Sequence, residues 1–127
     1  MGRKVPSKTS VVFYRTKSGA EVVLNWLRGL GELDRAAIGQ DLMRVQYRWP
    51  VGMPFCRSLG KGLWEVRVDL PSKRIARLIF SPRDEKLVVL HGFVKKTQKT
   101  PHADLELARK RDGEFSVGND EGDDDGQ

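Results

Sequence analysis

The sequence predicts an α+β fold in which a two-helix hairpin packs on one face of a small, mostly antiparallel sheet, followed by a short C-terminal helix. Apolar residues recur at helical spacing over 22–30 and again over 38–49. Residues 63–70 predict a strand, because apolar and polar residues alternate from Trp64 onwards. The turns after this strand are too short for parallel crossovers, so the next strands are antiparallel. Two amphipathic helices need a sheet to bury against, and these elements therefore form one layered domain.

The first elements are a strand and a helix. Residues 11–14 are β-branched or aromatic and predict the strand. Ser18 and Glu21 have the spacing of a capping box, in which a hydroxyl and a carboxylate bond the first N–H groups of a helix. We therefore expect a helix directly after Ser18, which Gly29 and Gly31 end.

A second helix is expected from about Glu32 to Arg48. Pro50 ends it, because the residue before a proline disfavours helical backbone. Residues 51–62 are rich in glycine and proline and predict a connector. The two helices should therefore form a hairpin between the first strand and the rest of the sheet.

Three strands in sequence form the meander. They are expected over 63–70, 74–80 and 87–94, and turns join them at 71–73 and 81–86. The charged half of each alternating strand should lie on an open face, away from the helices. In strict alternation His91 shares a face with Leu87, Val89 and Phe93.

The C-terminal part predicts a short helix and a tail. Thr100 is expected to cap a helix that begins at Pro101 and continues to Lys110 or Arg111. Glycine and acidic residues then dominate, and such a segment cannot bury enough apolar surface to order itself. The predicted domains are a flexible basic N-terminus (1–9), a folded domain (10–112) and a disordered acidic tail (113–127).

The charge of the chain predicts a polyanionic partner. The net charge is +6, but five of the 17 acidic residues lie in the last eight positions. The rest of the chain is therefore far more basic than the total shows, which favours nucleic acid as a partner. No apolar run is long enough for a membrane span or a signal peptide. A single cysteine fits a cytoplasmic location, and so few cysteines and histidines argue against zinc.

Three motifs carry a family resemblance. They are Gly-Leu-Trp-Glu-Val-Arg-Val (62–68), Arg-Ile-Ala-Arg-Leu-Ile-Phe (74–80) and Leu-His-Gly-Phe-Val-Lys-Lys-Thr-Gln-Lys-Thr-Pro (90–101). With the order of elements, they resemble the RelE/HigB toxin family, and its phage-derived HigB-like branch in particular, over residues 10–112. The resemblance implies a RelE-like fold and the toxin of a type II toxin–antitoxin module. It further implies cleavage of mRNA on the ribosome without metal or cofactor, and neutralisation by an antitoxin, commonly a helix-turn-helix protein.

The resemblance and the residue chemistry together suggest a set of catalytic candidates. Arg77 occupies the position at which the family stabilises the scissile phosphate, although it could instead pair with Glu65 or Asp69. Arg67 and Glu65 share a face of the neighbouring strand, where the carboxylate could act as a base, orient arginines or form an ordinary ion pair. His91 could transfer protons near neutral pH, or be structural if its face is packed.

Lysines and their neighbours extend this set at the end of the last strand. Lys95 and Lys96 are candidates for catalysis or phosphate contact. The predicted RNA-binding residues are Lys99, Gln98, Thr97, Phe93, Lys73 and Arg74, although Phe93 fits core packing equally well. Many family members have a tyrosine or a further arginine near the site in the C-terminal segment; residues 104–109 contain no tyrosine.

Two other functions remain open at this point. One is a ParE-like toxin, which inhibits DNA gyrase and has no nuclease activity. The other is a phage-derived domain that binds nucleic acid without cutting it. The dense cation cluster after the last strand favours the nuclease.

Overall fold

The computed structural model describes residues 9–50, 55–94 and 99–125, with side chains up to Phe115. None of the helices in these ranges combines the length and the apolar character that crossing a bilayer requires. The elements in chain order are β1 (Ser10–Phe13), α1 (Val22–Arg28), α2 (Glu32–Arg48), β2 (Cys56–Gly60), β3 (Leu63–Asp69), β4 (Ile75–Arg83), β5 (Lys86–Val94) and α3 (His102–Asp125).

The predicted α+β architecture is confirmed. Five strands form one sheet in the order β1-β5-β4-β3-β2, and β1 joins it parallel to β5 while the other pairs are antiparallel. The meander of β3, β4 and β5 is the predicted one. β2 is an additional edge strand inside the predicted connector, whose residues 51–54 lie outside the described ranges. Its five residues do not alternate cleanly in polarity, so periodicity did not reveal it.

Helices cover both faces of the sheet. The ring of Trp26 in α1 lies directly against Gly92 of β5, whereas Asp104 of α3 bonds the adjacent His91. Adjacent strand residues point to opposite faces, so α1 and α3 lie on opposite sides. Trp49, at the end of α2, packs on Trp64 and Phe80, on the side of α1. The hairpin prediction is therefore confirmed, but the expectation of an open second face was wrong, because α3 packs there.

A bulge in β5 changes which residues share a face. His91 pairs with Ile79, while Val89 pairs with Phe80, so Leu90 is an extra residue on this strand. Ile79 and Phe80 point to opposite faces, and therefore His91 and Val89 do as well. The predicted common face of His91 and Phe93 is right, but Val89 lies on the other side.

Two helix boundaries differ from the predictions. α1 begins at Val22, and Ser18 does not cap it; its hydroxyl lies 3.0 Å from that of Thr16 in the preceding turn. α3 continues past Arg111, because side chains beyond it contact the sheet. Tyr14 donates a 2.6 Å hydrogen bond to Glu114, and Phe115 packs against the core. The predicted disorder of 113–127 and the domain limits stay predictions.

Candidate active site

Two rows of side chains cross the sheet on the face that α3 covers. Register pairs connect Arg57 to Glu65, Glu65 to Ile79, and Ile79 to His91, which makes one row over four strands. The neighbouring row consists of Arg67, Arg77 and Phe93. We call these the charged rows. Residues on adjacent strands are about 4.8 Å apart, so Glu65 and His91 are separated by roughly 10 Å between Cα atoms.

Glu65 is the centre of a buried polar cluster. Its side chain is only 5% exposed. Oε1 lies 3.4 Å from Arg57 Nη2 and 3.8 Å from Arg77 Nη1, and Oε2 accepts a hydrogen bond from the hydroxyl of Thr100. Because these neighbours surround it, the carboxylate is placed to orient the arginines.

The two arginines of this cluster differ in accessibility. Arg77 is 2% exposed, so the guanidinium that the sequence made the first candidate for phosphate contact lies inside the protein. Arg57 is 43% exposed and also donates to Thr100. Its guanidinium therefore bonds the cluster on one side and reaches solvent on the other.

His91 lies at the far end of the first row. Its Nε2 is 2.7 Å from Asp104 Oδ1, and the two side chains are 15% and 17% exposed. The imidazole stacks on the ring of Phe93, with 5.4 Å between ring centres. Phe93 itself is 6% exposed and belongs to the core. A carboxylate bonded to one imidazole nitrogen determines how the ring is oriented and which nitrogen carries the proton.

Thr100, just before α3, and Asp104, in its first turn, contact the two ends of the first row. Thr100, which was expected to cap this helix, instead bonds Glu65, and Asp104 bonds His91. Further along, Arg111 donates to the carbonyl of Leu90 at 2.9 Å. Burial lowers the pKa of Arg111 from its ordinary value, although the nearby Tyr14 and Glu114 raise this pKa in part. These contacts hold the start of α3 in a definite position over the sheet.

Arg67 lies apart from the Glu65 cluster. It is exposed and lines a groove of about 570 Å³ between α2 and the sheet edge, together with Asp69 and Phe55. β2 pairs with β3 only up to Val66, so Arg67 is at the open edge of the sheet. The structure therefore places Arg67 beside Arg77 in register but opens its side chain to another surface.

Lys73 and Arg74 lie at the turn between β3 and β4, outside the cluster. Lys73 is exposed at a φ of 68°. Arg74 pairs with Asp34 of α2 at 3.3 Å, and Asp34 accepts two further hydrogen bonds from Ser72. The bonds from Ser72 and then Arg74 lower the pKa of Asp34 despite its burial. This turn is connected to the helical side of the protein.

The remaining candidates follow β5. Lys95, Lys96, Thr97 and Gln98 lie outside the described residues. Lys99 is exposed next to Thr100 and therefore beside the charged rows. The role of all five as RNA contacts or catalysts stays a prediction.

Sequence reasoning missed Arg57 and Asp104 as members of the site. Arg57 lies on the unpredicted strand β2; the turn residues Gly60, Lys61 and Gly62, all at positive φ, were the available signal of a hairpin there. In the sequence, Asp104 is only one residue of the segment 104–109, which contains no tyrosine. Its contact with His91 depends on the path of α3, which no local pattern contains.

The described residues contain neither an activated thiol nor an evident metal cluster. Burial raises the pKa of the Cys56 thiol to about 11, so it stays protonated at neutral pH. No group of three or more His, Cys, Asp or Glu side chains in these ranges is arranged to hold a metal ion. Metal-independent chemistry stays a prediction.

Comparison with known protein families identifies the chain. Residues 25–112 match the family described as phage derived protein Gp49-like (DUF891), and the match covers α2, strands β2 to β5 and the first half of α3. The chain belongs to this family. The Gp49-like family is a RelE/HigB-like toxin family of toxin–antitoxin systems, and its toxins are generally paired with an antitoxin. No curated protein matches the sequence.

Proposed function

We propose that this Gp49-like protein is the toxin of a type II toxin–antitoxin module and cleaves mRNA on the ribosome. The observation that carries the proposal is the pair of charged rows, where Arg57 and Arg77 both contact Glu65 and a histidine–aspartate pair lies two strands away. Cations and a proton-transfer group on one face are the parts that cleavage at a 2′-hydroxyl needs.

In this proposal the residues have different roles. Arg57 contacts the scissile phosphate, because its side chain reaches both solvent and the cluster. Glu65 holds that guanidinium in place, and Arg77 in turn pairs with the Glu65 carboxylate. His91, oriented by Asp104, transfers a proton to or from the reacting oxygens. Cleavage needs a second proton transfer, at the other of the two reacting oxygens. We assign it to Lys95 or Lys96, which follow β5 directly in the sequence.

The test is to induce the protein in translating cells and map new RNA 5′ ends. We expect cuts within translated codons, and a reporter without a start codon should stay intact. Arg57→Ala and His91→Gln should each reduce cutting by roughly 10²-fold. Arg28→Ala is the matched control, because Arg28 is exposed on α1 on the opposite side of the sheet. Circular dichroism checks that each variant is folded.

The other functions give different results in the same cells. A ParE-like toxin would leave transcripts intact and alter plasmid supercoiling. A plain nucleic-acid binder would be toxic with neither effect. Either outcome would reject the nuclease.

A further inference from the structure

The outer face of α2 carries large apolar side chains that are exposed to solvent. In the described residues three large hydrophobic side chains are exposed, and all three lie on this helix: Leu33 at 72%, Met43 at 55% and Tyr47 at 63%. A cluster of exposed apolar side chains on a small protein is typical of an interaction surface.

These side chains form a continuous stripe. Together with the exposed Ala36 and Gln40 they are spaced by three and four residues in turn, which puts them on one side of a helix. We call Leu33, Ala36, Gln40, Met43 and Tyr47 the α2 stripe. It extends over about 21 Å, at a rise of 1.5 Å per residue. The opposite side of α2 provides the core contacts through Ile38, Leu42 and Val45, so the stripe is not needed for the protein's own core.

A basic flank borders the stripe. Arg44 and Arg48 are exposed along one edge, and Arg44 pairs with the carboxylate of Asp41 at 3.2 Å. Gln40 and Arg44 also line the groove that contains Arg67. The surface is therefore apolar in the middle and positive at one edge, which fits an apolar partner surface with carboxylates beside it.

We propose that the α2 stripe is the docking surface for an amphipathic helix of the antitoxin, with acidic residues along the edge that meets Arg44 and Arg48. Helices bind such surfaces through anchors spaced by three, four and seven residues, the spacing of the stripe. An apolar stripe offers little to phosphates, so it does not fit RNA. The inference rests on the proposed toxin role but not on RNA cleavage.

The experiment uses the full chain and the products of its two flanking genes. Each product is co-expressed with the chain, and the one that restores growth is titrated against the chain by calorimetry. We expect Met43→Glu with Tyr47→Glu to raise Kd by at least ~100-fold and to escape neutralisation while staying toxic. Arg44→Glu with Arg48→Glu should raise Kd by roughly 10-fold.

Lys110→Glu is the control, because Lys110 is exposed on α3, on the other side of the sheet, and the substitution changes the net charge by the same two units as Met43→Glu with Tyr47→Glu. Its Kd should stay within about twofold.

An unchanged Kd in the folded variant with Met43→Glu and Tyr47→Glu overturns the proposal, as does failure of both flanking products to bind. A further outcome is that the chain alone is a dimer, which Met43→Glu converts to a monomer without changing antitoxin binding. In that case the α2 stripe binds a second copy of the chain, and the proposal is wrong. If transcripts stay uncut but Kd responds as stated, the nuclease proposal fails and this one stands.

Discussion

Arg57 and Arg77 hold one carboxylate from two sides, yet their surroundings separate their roles. Arg77 is in the middle of the sheet, on β4, and is almost fully buried, whereas Arg57 is on the edge strand β2 and partly exposed. Removing a partner from a buried ion pair leaves the other charge uncompensated. Substituting Arg77 would therefore report on folding as well as on function, and Arg57 is the better residue for functional tests.

Gly92 is closely packed against the ring of Trp26. A Cβ built at this position would lie 2.4–2.8 Å from three ring atoms of Trp26. We expect Gly92→Ala to lower the free energy of unfolding by roughly 1–3 kcal/mol, because the indole must shift. Gly39→Ala is the control, since its Cβ would meet open space and alanine favours a helix by ~1 kcal/mol. Urea unfolding measures both, and equal effects of the two substitutions would contradict the packing argument.

At the scale of elements, Asp34 connects α2 to the turn between β3 and β4. It lies in the first turn of α2 and accepts bonds from Ser72 and Arg74, which are far away along the chain. The turn thereby keeps a fixed position relative to the helix. The same bonds make the charged form of Asp34 the stable one.

The contacts of Asp34 predict that the stability of the fold depends on pH. The folded-state pKa of Asp34 is lower than its unfolded value of about 4, so its charge stabilises the fold above that pH. The contribution is lost as pH falls through the folded-state pKa. We expect Asp34→Asn to lower Tm by several degrees at pH 7, and the difference from wild type should shrink below about pH 4.

Glu32→Gln provides the comparison, because Glu32 is an exposed carboxylate in the same helical turn. Thermal unfolding from pH 3 to pH 7 should show no comparable dependence for this variant. A constant difference between Asp34→Asn and wild type over that range would contradict the prediction.

At the scale of the whole molecule, α3 makes the fold a three-layer arrangement. It adds contacts to the sheet on the side opposite the hairpin, including Ala108, which is fully buried. Arg83 pairs with Asp112 and lies 5.8 Å from the ring of Phe115. The start of α3 completes the charged rows, so the stability of this helix and the geometry of the site depend on each other.

Truncation tests how far the folded domain extends. Ending the chain at Arg111 removes the contacts of Asp112, Glu114 and Phe115, and we expect it to reduce the free energy of unfolding by at least about 2 kcal/mol. Ending it at Phe115 keeps them and removes all the acidic residues of 120–125, so stability should change little. Chemical denaturation measures both chains. Equal stability would show that the domain is complete by Arg111.

The helices and the meander could be predicted from the sequence because their signals are local. Helical spacing defined the bounds of α2, and alternation together with turn residues defined β3, β4 and β5. The charged segment around His91 and the pair of Glu65 and Arg77 also stood out, since residue type and strand position suffice to suggest them. Family motifs then connected these residues to a class of toxin.

The tertiary structure decided what those residues touch. Only strand pairing reveals that β2 brings Arg57 to Glu65, and only the bulge at Leu90 determines that His91 faces α3. The path of α3 then brings Thr100 and Asp104 onto the charged rows. These partners are separated by eight to 35 residues along the chain. Periodicity reports only on neighbours in sequence, so the sequence by itself determined which side chains could do chemistry, and the packing of sheet and helix decided which of them meet.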